Sequence, residues 1–153
     1  MTNLAPVLTA VDQVPIHAQC ILIIDDDPFA RRILRLLFES EGYVCKEAEN
    51  GRRGLAMFEQ HRPDLIITDY MMPVLTGIEF LERLGKKQQR YVPPVIVATG
   101  CLNHDIKIRA LQSGARAVLA KPYDIGEIRA LANWLLNAES SIPLTTHSAM
   151  QYQ

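Results

Sequence analysis

Five short aliphatic runs recur along the chain, separated by longer stretches whose apolar residues return every three or four positions. The runs are CILII (20–24), YVCKEA (43–48), DLIIT (64–68), PVIVAT (94–99) and RAVLA (116–120). The stretches between and after them are FARRILRLLFESE, RRGLAMFEQH, GIEFLERLGKK, HDIKIRALQSG and IGEIRALANWLLN. Runs of this length read as strands, and the helical period reads as amphipathic helices. Ala30, Ile33, Leu34, Leu37 and Phe38 form one stripe of the first helix; Ile128, Leu131, Leu135 and Leu136 do so in the last. Five strand–helix alternations predict a doubly wound α/β fold, with a parallel sheet and right-handed crossovers. DLIIT and PVIVAT are nearly continuous aliphatics, as strands covered on both faces require. YVCKEA is the most polar run and suits an edge.

Four of the five runs end on a polar residue. CILII leads into Asp25 and Asp26, DLIIT into Asp69, PVIVA into Thr99 and RAVLA into Lys121. In a parallel sheet these ends share one edge, where open α/β folds bind their ligands. Asp27 is well placed to cap the first helix, with Pro28 as its first residue. That leaves Asp25, Asp26 and Asp69 as hard oxygen donors of the kind Mg²⁺ takes. A carboxylate there can also attack a phosphoryl group and become an aspartyl phosphate. Lys121 would share the charge on the transferring oxygens, and the Thr99 hydroxyl would bond one of them. Each residue taken singly has a plainer reading: a solvated strand end, a turn carboxylate, a turn hydroxyl, a surface lysine. Their arrival together at one edge is what favours a site.

Composition narrows the class. The chain has 153 residues, is 48% hydrophobic and carries a formal net charge of −1, which fits one globular domain with tails. Residues 20–138 are the expected domain; residues 1–19 and 139–153 are expected to be tails or weakly docked arms. No apolar run approaches a membrane span. MTNLAPVLTA lacks the basic start and apolar core of a signal peptide, so a cytoplasmic location is expected. The charge balance gives no basic footprint for nucleic acid. Three cysteines, Cys20, Cys45 and Cys101, show no CxxC spacing, which argues against a disulfide framework or thiolate zinc site.

IIDDDP, Asn50-Gly51, PDLIITDYMMPVLTG, PVIVATG and GARAVLAKPY occur in this order, and together they resemble the receiver domain of two-component response regulators. The resemblance spans Cys20 to Ala138. It implies a flavodoxin-like sheet of order 2-1-3-4-5, with Asp69 as phosphoacceptor and Asp25 and Asp26 as the acidic metal-binding pair. It further implies Mg²⁺ (or Mn²⁺) held by these three and the Met71 main-chain carbonyl, Thr99 as switch hydroxyl, Lys121 as phosphate-pairing lysine, and a cis peptide before Pro122. The implied partners are a sensor histidine kinase or histidine phosphotransfer protein upstream and a protein or effector domain downstream.

Val118 occupies a position where many receivers carry a switching aromatic, so Arg116, Ala117 and Val118 are expected to form a small partner-facing patch instead. Met71 and Cys101 flank the reaction site and are neither charged nor amide, which predicts a long-lived phosphoryl group. About fifteen residues follow the last helix, too few for an output domain, so docking to a separate partner, shuttling to a phosphotransfer protein, and control of an effector domain carried by a longer chain all stay open. A haloacid-dehalogenase-type phosphatase, with Asp25 as nucleophile, is imitated by Asp25-x-Asp27, Thr99 and Lys121. That reading leaves Asp69 idle and finds only Asp124 and Glu127 as later acids.

Overall fold

The computed structural model describes residues 18–87 and 91–139. The expected tails lie almost wholly outside these residues. Strands β1 (Cys20–Ile24), β2 (Val44–Ala48), β3 (Leu65–Asp69), β4 (Val95–Thr99) and β5 (Ala117–Ala120) alternate with helices α1 (Pro28–Ser40), α2 (Gly51–His61), α3 (Gly77–Lys86), α4 (His104–Gln112) and α5 (Ile125–Glu139). All strand pairs are parallel, and the order is β2-β1-β3-β4-β5. The polar strand β2 is an edge, while every residue of β3 and β4 is buried. Among the described residues, no helix is long and apolar enough to cross a membrane.

Strand alternation sends successive side chains to opposite faces and so makes two cores. Leu22, Ile24, Ile66, Val95 and Val97 pack with Phe58, Phe80, Leu81 and Ala110 from α2, α3 and α4. Ile21, Ile23, Leu65, Ile67 and Ile96 pack with Leu34, Phe38, Ile128 and Leu135 from α1 and α5. Burying one such aliphatic side chain contributes roughly 1.5–3 kcal/mol. The same alternation puts Cys20 and Cys45 on opposite faces of the sheet. All three cysteines are free, and burial, reinforced by Glu39, pushes the Cys45 thiol up to about 12.

One expectation needs correcting. Ile33 is not part of the α1 core stripe: it is 54% exposed, whereas Leu34 and Phe38 are buried. The stripe of five covers more of the helix than the sheet does, and Ile33 falls on its outer flank beside exposed Phe29. Gln19, just before β1, is docked on the domain: its carbonyl accepts from the Val44 amide and its side chain donates to the Leu136 carbonyl.

Candidate acidic site at the sheet edge

Hydrogen bonds carry the strand ladders just past the strand ends, which fixes the polar residues there. The amide of Asp25 donates to Ala48 O (3.1 Å), that of Tyr70 to Ala98 O (2.8 Å) and that of Lys121 to Thr99 O (2.7 Å). Asp27 caps α1 by accepting from the Phe29 amide, and Pro28 is at its start. The DDD run therefore divides into two site carboxylates and one cap.

The helices on the other face come unusually close to this edge, and two glycines permit it. A Cβ on Gly77, at the start of α3, would drive into the main-chain carbonyl of Asp69 itself and lie 3.1 Å from Tyr70 Cα. A Cβ on Gly51 would lie 2.9 Å from Leu75 O. Asn50 caps α2 by accepting from the Arg53 amide at 2.8 Å. The Asn50-Gly51 pair thus has two separate jobs, one for the cap and one for close approach. Between β3 and α3 the chain turns sharply at Val74, whose φ is +72°. The Leu75 amide bonds Pro73 O across it at 2.8 Å, a γ-turn of the strained, positive-φ kind.

Asp25, Asp26 and Asp69 offer carboxylate oxygens that all lie within 4.8 Å of one another. Lys121 Nζ sits between two of them, 2.6 Å from Asp25 Oδ2 and 3.1 Å from Asp69 Oδ1. Asp25 Oδ1 accepts the Asp27 amide at 2.9 Å. The Lys121–Pro122 peptide is cis. Burial raises the Asp69 pKa; Lys121 opposes the rise, and the negative charge of Asp25 adds to it. Burial works against the Lys121 charge, but the hydrogen bond and charge of Asp25, with Asp69, outweigh it and hold the ammonium above its ordinary pKa. Three close carboxylates with one ammonium between them leave net negative charge in a confined space. Hard oxygen donors at this spacing fit a small divalent cation.

Thr99 is fully buried at the same edge, its hydroxyl accepting from the Cys101 amide at 3.2 Å. Cys101 and Met71 are exposed, Met71 to 62%. Arg116 is exposed just before β5; Ala117 and Val118 are half-buried, with Val118 against the α2–α4 core. The dehalogenase reading fails here. Both Asp25 oxygens are already engaged, and Asp69, which that reading leaves idle, is the carboxylate that Lys121 shares.

Three features escaped the sequence. Arg31 Nη1 donates to the Asp25 carbonyl at 2.7 Å, and Glu47 is ion-paired with both Arg31 and Arg35. Arg31, in α1, follows the acidic pair, but no pattern in the sequence marks Glu47 as its partner. Asp64 is not the first residue of its strand: its carboxylate accepts the Cys20 amide at 2.7 Å and so caps the start of β1. Finally, a groove of about 440 Å³ opens beside Lys121, lined by Phe29, Ile33, Pro122, Tyr123 and Ile125.

A response regulator receiver domain model matches residues 21–133. RpaA of Synechocystis, a DNA-binding dual master transcriptional regulator, is 36% identical over 123 residues, which are 80% of this chain and 51% of RpaA. PilH of Pseudomonas aeruginosa is 36% identical over 104 residues, which are 68% of this chain and 86% of PilH. The solved chemotaxis response regulator CheY4 of Vibrio cholerae aligns with a TM-score of 0.72 at 27% identity, covering 77% of this chain and 98% of CheY4. The chain spans about half the length of several regulators it matches, RpaA among them. Fold order, strand-end acids and these matches agree over the same residues, and the chain belongs to the receiver domains of response regulators.

Proposed function

We propose that Asp69 accepts a phosphoryl group from a histidine kinase or a histidine phosphotransfer protein, in the cytoplasm, and that the protein then alters its contact with a downstream partner. The observation that carries this is the position of Asp69: a buried carboxylate, touched by Lys121, within reach of two further acids on one sheet edge. Asp25, Asp26, Asp69 and the Met71 carbonyl would hold Mg²⁺, or Mn²⁺, which supplies positive charge to the phosphoryl oxygens. An Asp69 oxygen bonds to phosphorus as the donor's phosphorus–nitrogen bond breaks, and the departing imidazole takes up a proton. Lys121 then exchanges a carboxylate contact for a phosphoryl oxygen. The Thr99 hydroxyl, which accepts from the Cys101 amide, would donate to another.

The apolar groove and the exposed Phe29 and Ile33 lie beside this site, so a donor protein has a surface to dock on within reach of Asp69. On the output side, Arg116 precedes the edge strand β5, which carries Ala117 and Val118; α4 before it exposes Ile108 and Leu111, and α5 after it exposes Trp134. This face would meet the downstream partner.

The test is incubation with acetyl phosphate and Mg²⁺, followed by mass measurement of the intact protein. One phosphoryl group is expected on the wild type and none on Asp69→Ala; stoichiometric label on the mutant refutes the assignment.

A further inference from the structure

Two adjacent residues of the edge strand hold Asp25 from both sides. Ala48 O accepts the Asp25 amide at 3.1 Å. Glu47 holds Arg31, through Nε at 3.4 Å, and Arg31 Nη1 donates to the Asp25 carbonyl at 2.7 Å. A second arginine, Arg35, binds the other Glu47 oxygen at 3.0 Å, so the Glu47 carboxylate is fixed in turn. The Asp25 carbonyl belongs to the planar peptide that also carries the Asp26 amide. Whatever fixes that carbonyl therefore fixes the direction in which Asp26 leaves the backbone. Asp26 needs such help, because its carboxylate is exposed and accepts no hydrogen bond from another described residue. Asp25, by contrast, is buried and pinned at its amide, its carbonyl and both carboxylate oxygens.

We infer that Arg31, oriented by Glu47, is the positioning residue of the divalent-cation site, holding the Asp25–Asp26 peptide so that Asp26 converges with Asp25 and Asp69. The inference rests on reading these three carboxylates as a cation site. It has a sign that simple electrostatics lacks. Arg31 is a positive charge near the acids, so on charge alone its removal should tighten cation binding. If positioning dominates, removal should weaken it, as loss of a group supporting metal ligands typically does by 10–100-fold.

The experiment is calorimetric titration of the full chain with MgCl₂, for wild type, Arg31→Met, Arg31→Lys and Glu47→Gln, with thermal unfolding of each in Mg²⁺-free buffer. Arg31→Met is expected to weaken Mg²⁺ binding by about tenfold. Arg31→Lys should fall between it and wild type, since an ammonium can reach one oxygen but not hold two in a fixed fork. Glu47→Gln should weaken binding less than Arg31→Met, and combining Glu47→Gln with Arg31→Met in a fourth variant should be no worse than Arg31→Met alone. Unchanged or tighter binding in Arg31→Met overturns the role, and so does a lower melting temperature with an unchanged Kd, which is what a merely structural arginine gives. If Arg31→Met does not fold, the Arg31→Lys and Glu47→Gln affinities decide by the same criterion. A wild type that takes up no Mg²⁺ overturns the cation-site reading together with the Arg31 role. Wild-type binding that Arg31→Met fully retains overturns the Arg31 role alone.

Discussion

Gly77→Ala should unfold the protein more easily and disturb the phosphoacceptor in the same stroke. The added methyl meets backbone on the partner side, the Asp69 carbonyl and Tyr70 Cα, so no side chain can rotate away. Either α3 or the end of β3 must move. Overpacking of this kind costs roughly 1–3 kcal/mol. The helix propensity gained from alanine, about 1 kcal/mol in a helix interior, is mostly not available at the first residue of α3. A net loss of about 2 kcal/mol follows, a downward shift of roughly 1–2 M in the urea midpoint. Because the displaced carbonyl is that of Asp69, labelling by acetyl phosphate should also slow by about tenfold or more. Gly85 supplies the control. It lies in the last turn of the same helix, and a Cβ there meets nothing within 4 Å. Gly85→Ala should therefore be neutral or stabilising by up to about 1 kcal/mol, with normal labelling. Urea unfolding followed by circular dichroism, with mass-detected labelling, reads both effects. Equal midpoints for the two variants would refute the close-approach explanation, and normal labelling of Gly77→Ala would separate α3 packing from the site.

Val74→Gly should stabilise the fold by about 1 kcal/mol, since a β-branched, 72% exposed residue sits at φ +72°; a lower urea midpoint would show that the Val74 side chain contributes more than its backbone costs. Lys121→Met should keep the fold but lose stability in Mg²⁺-free buffer. The Lys121 pKa is raised in the folded state, so its contribution is fully present below the ordinary lysine value of ~10.4 and is lost as pH rises through the higher folded value. Accordingly the wild-type advantage in urea midpoint should be level between about pH 7 and 9 and shrink above roughly 10.4; an advantage that stays undiminished in strong alkali counts against the pairing. Phospho-Asp69 should outlast that of a Met71→Asn, Cys101→Glu variant by roughly tenfold, about 1.4 kcal/mol in barrier, because neither native side chain orients an attacking water well. The check is a decay time course in excess Mg²⁺, and equal rates would sink this explanation.

Much of the architecture could be read directly from the chain because two periodicities do not overlap. Buried runs such as LIIT and VIVAT cannot serve as anything but central strands at that length, and their polar ends then fall at one edge by topology alone. Asp25, Asp69 and Lys121 meet there although Lys121 is 96 positions from Asp25. What stayed hidden depends on pairings that leave no period. Glu47 reads as an ordinary polar residue of an edge strand, and only the fold brings it under Arg31 and Arg35. Ile33 misled for a different reason. Helical spacing shows which residues share a side but not how wide the sheet beneath them is, and an apolar residue at the stripe's margin beside a groove looks the same as one in the core. Asp64 was drawn into its strand by the aliphatics that follow it, whereas its carboxylate is used to start the neighbouring strand.

The contact between Gln19 and the Leu136 carbonyl has a consequence for how the protein can be handled and rewired. It brings the beginning of β1 and the last turns of α5 side by side, at the pole where all five strands begin. The acidic cluster sits at the opposite pole, where the strands end. A dye, tether or surface attached at residue 18 or at residue 139 therefore stands a full strand length away from Asp69. In a chain cut to residues 18–139, joining residue 139 to residue 18 by a short flexible linker should give a circular permutant, with new ends opened after Lys87, just past α3. Such a permutant would reorder every segment of the chain and still present Asp25, Asp26, Asp69 and Lys121 in their native arrangement.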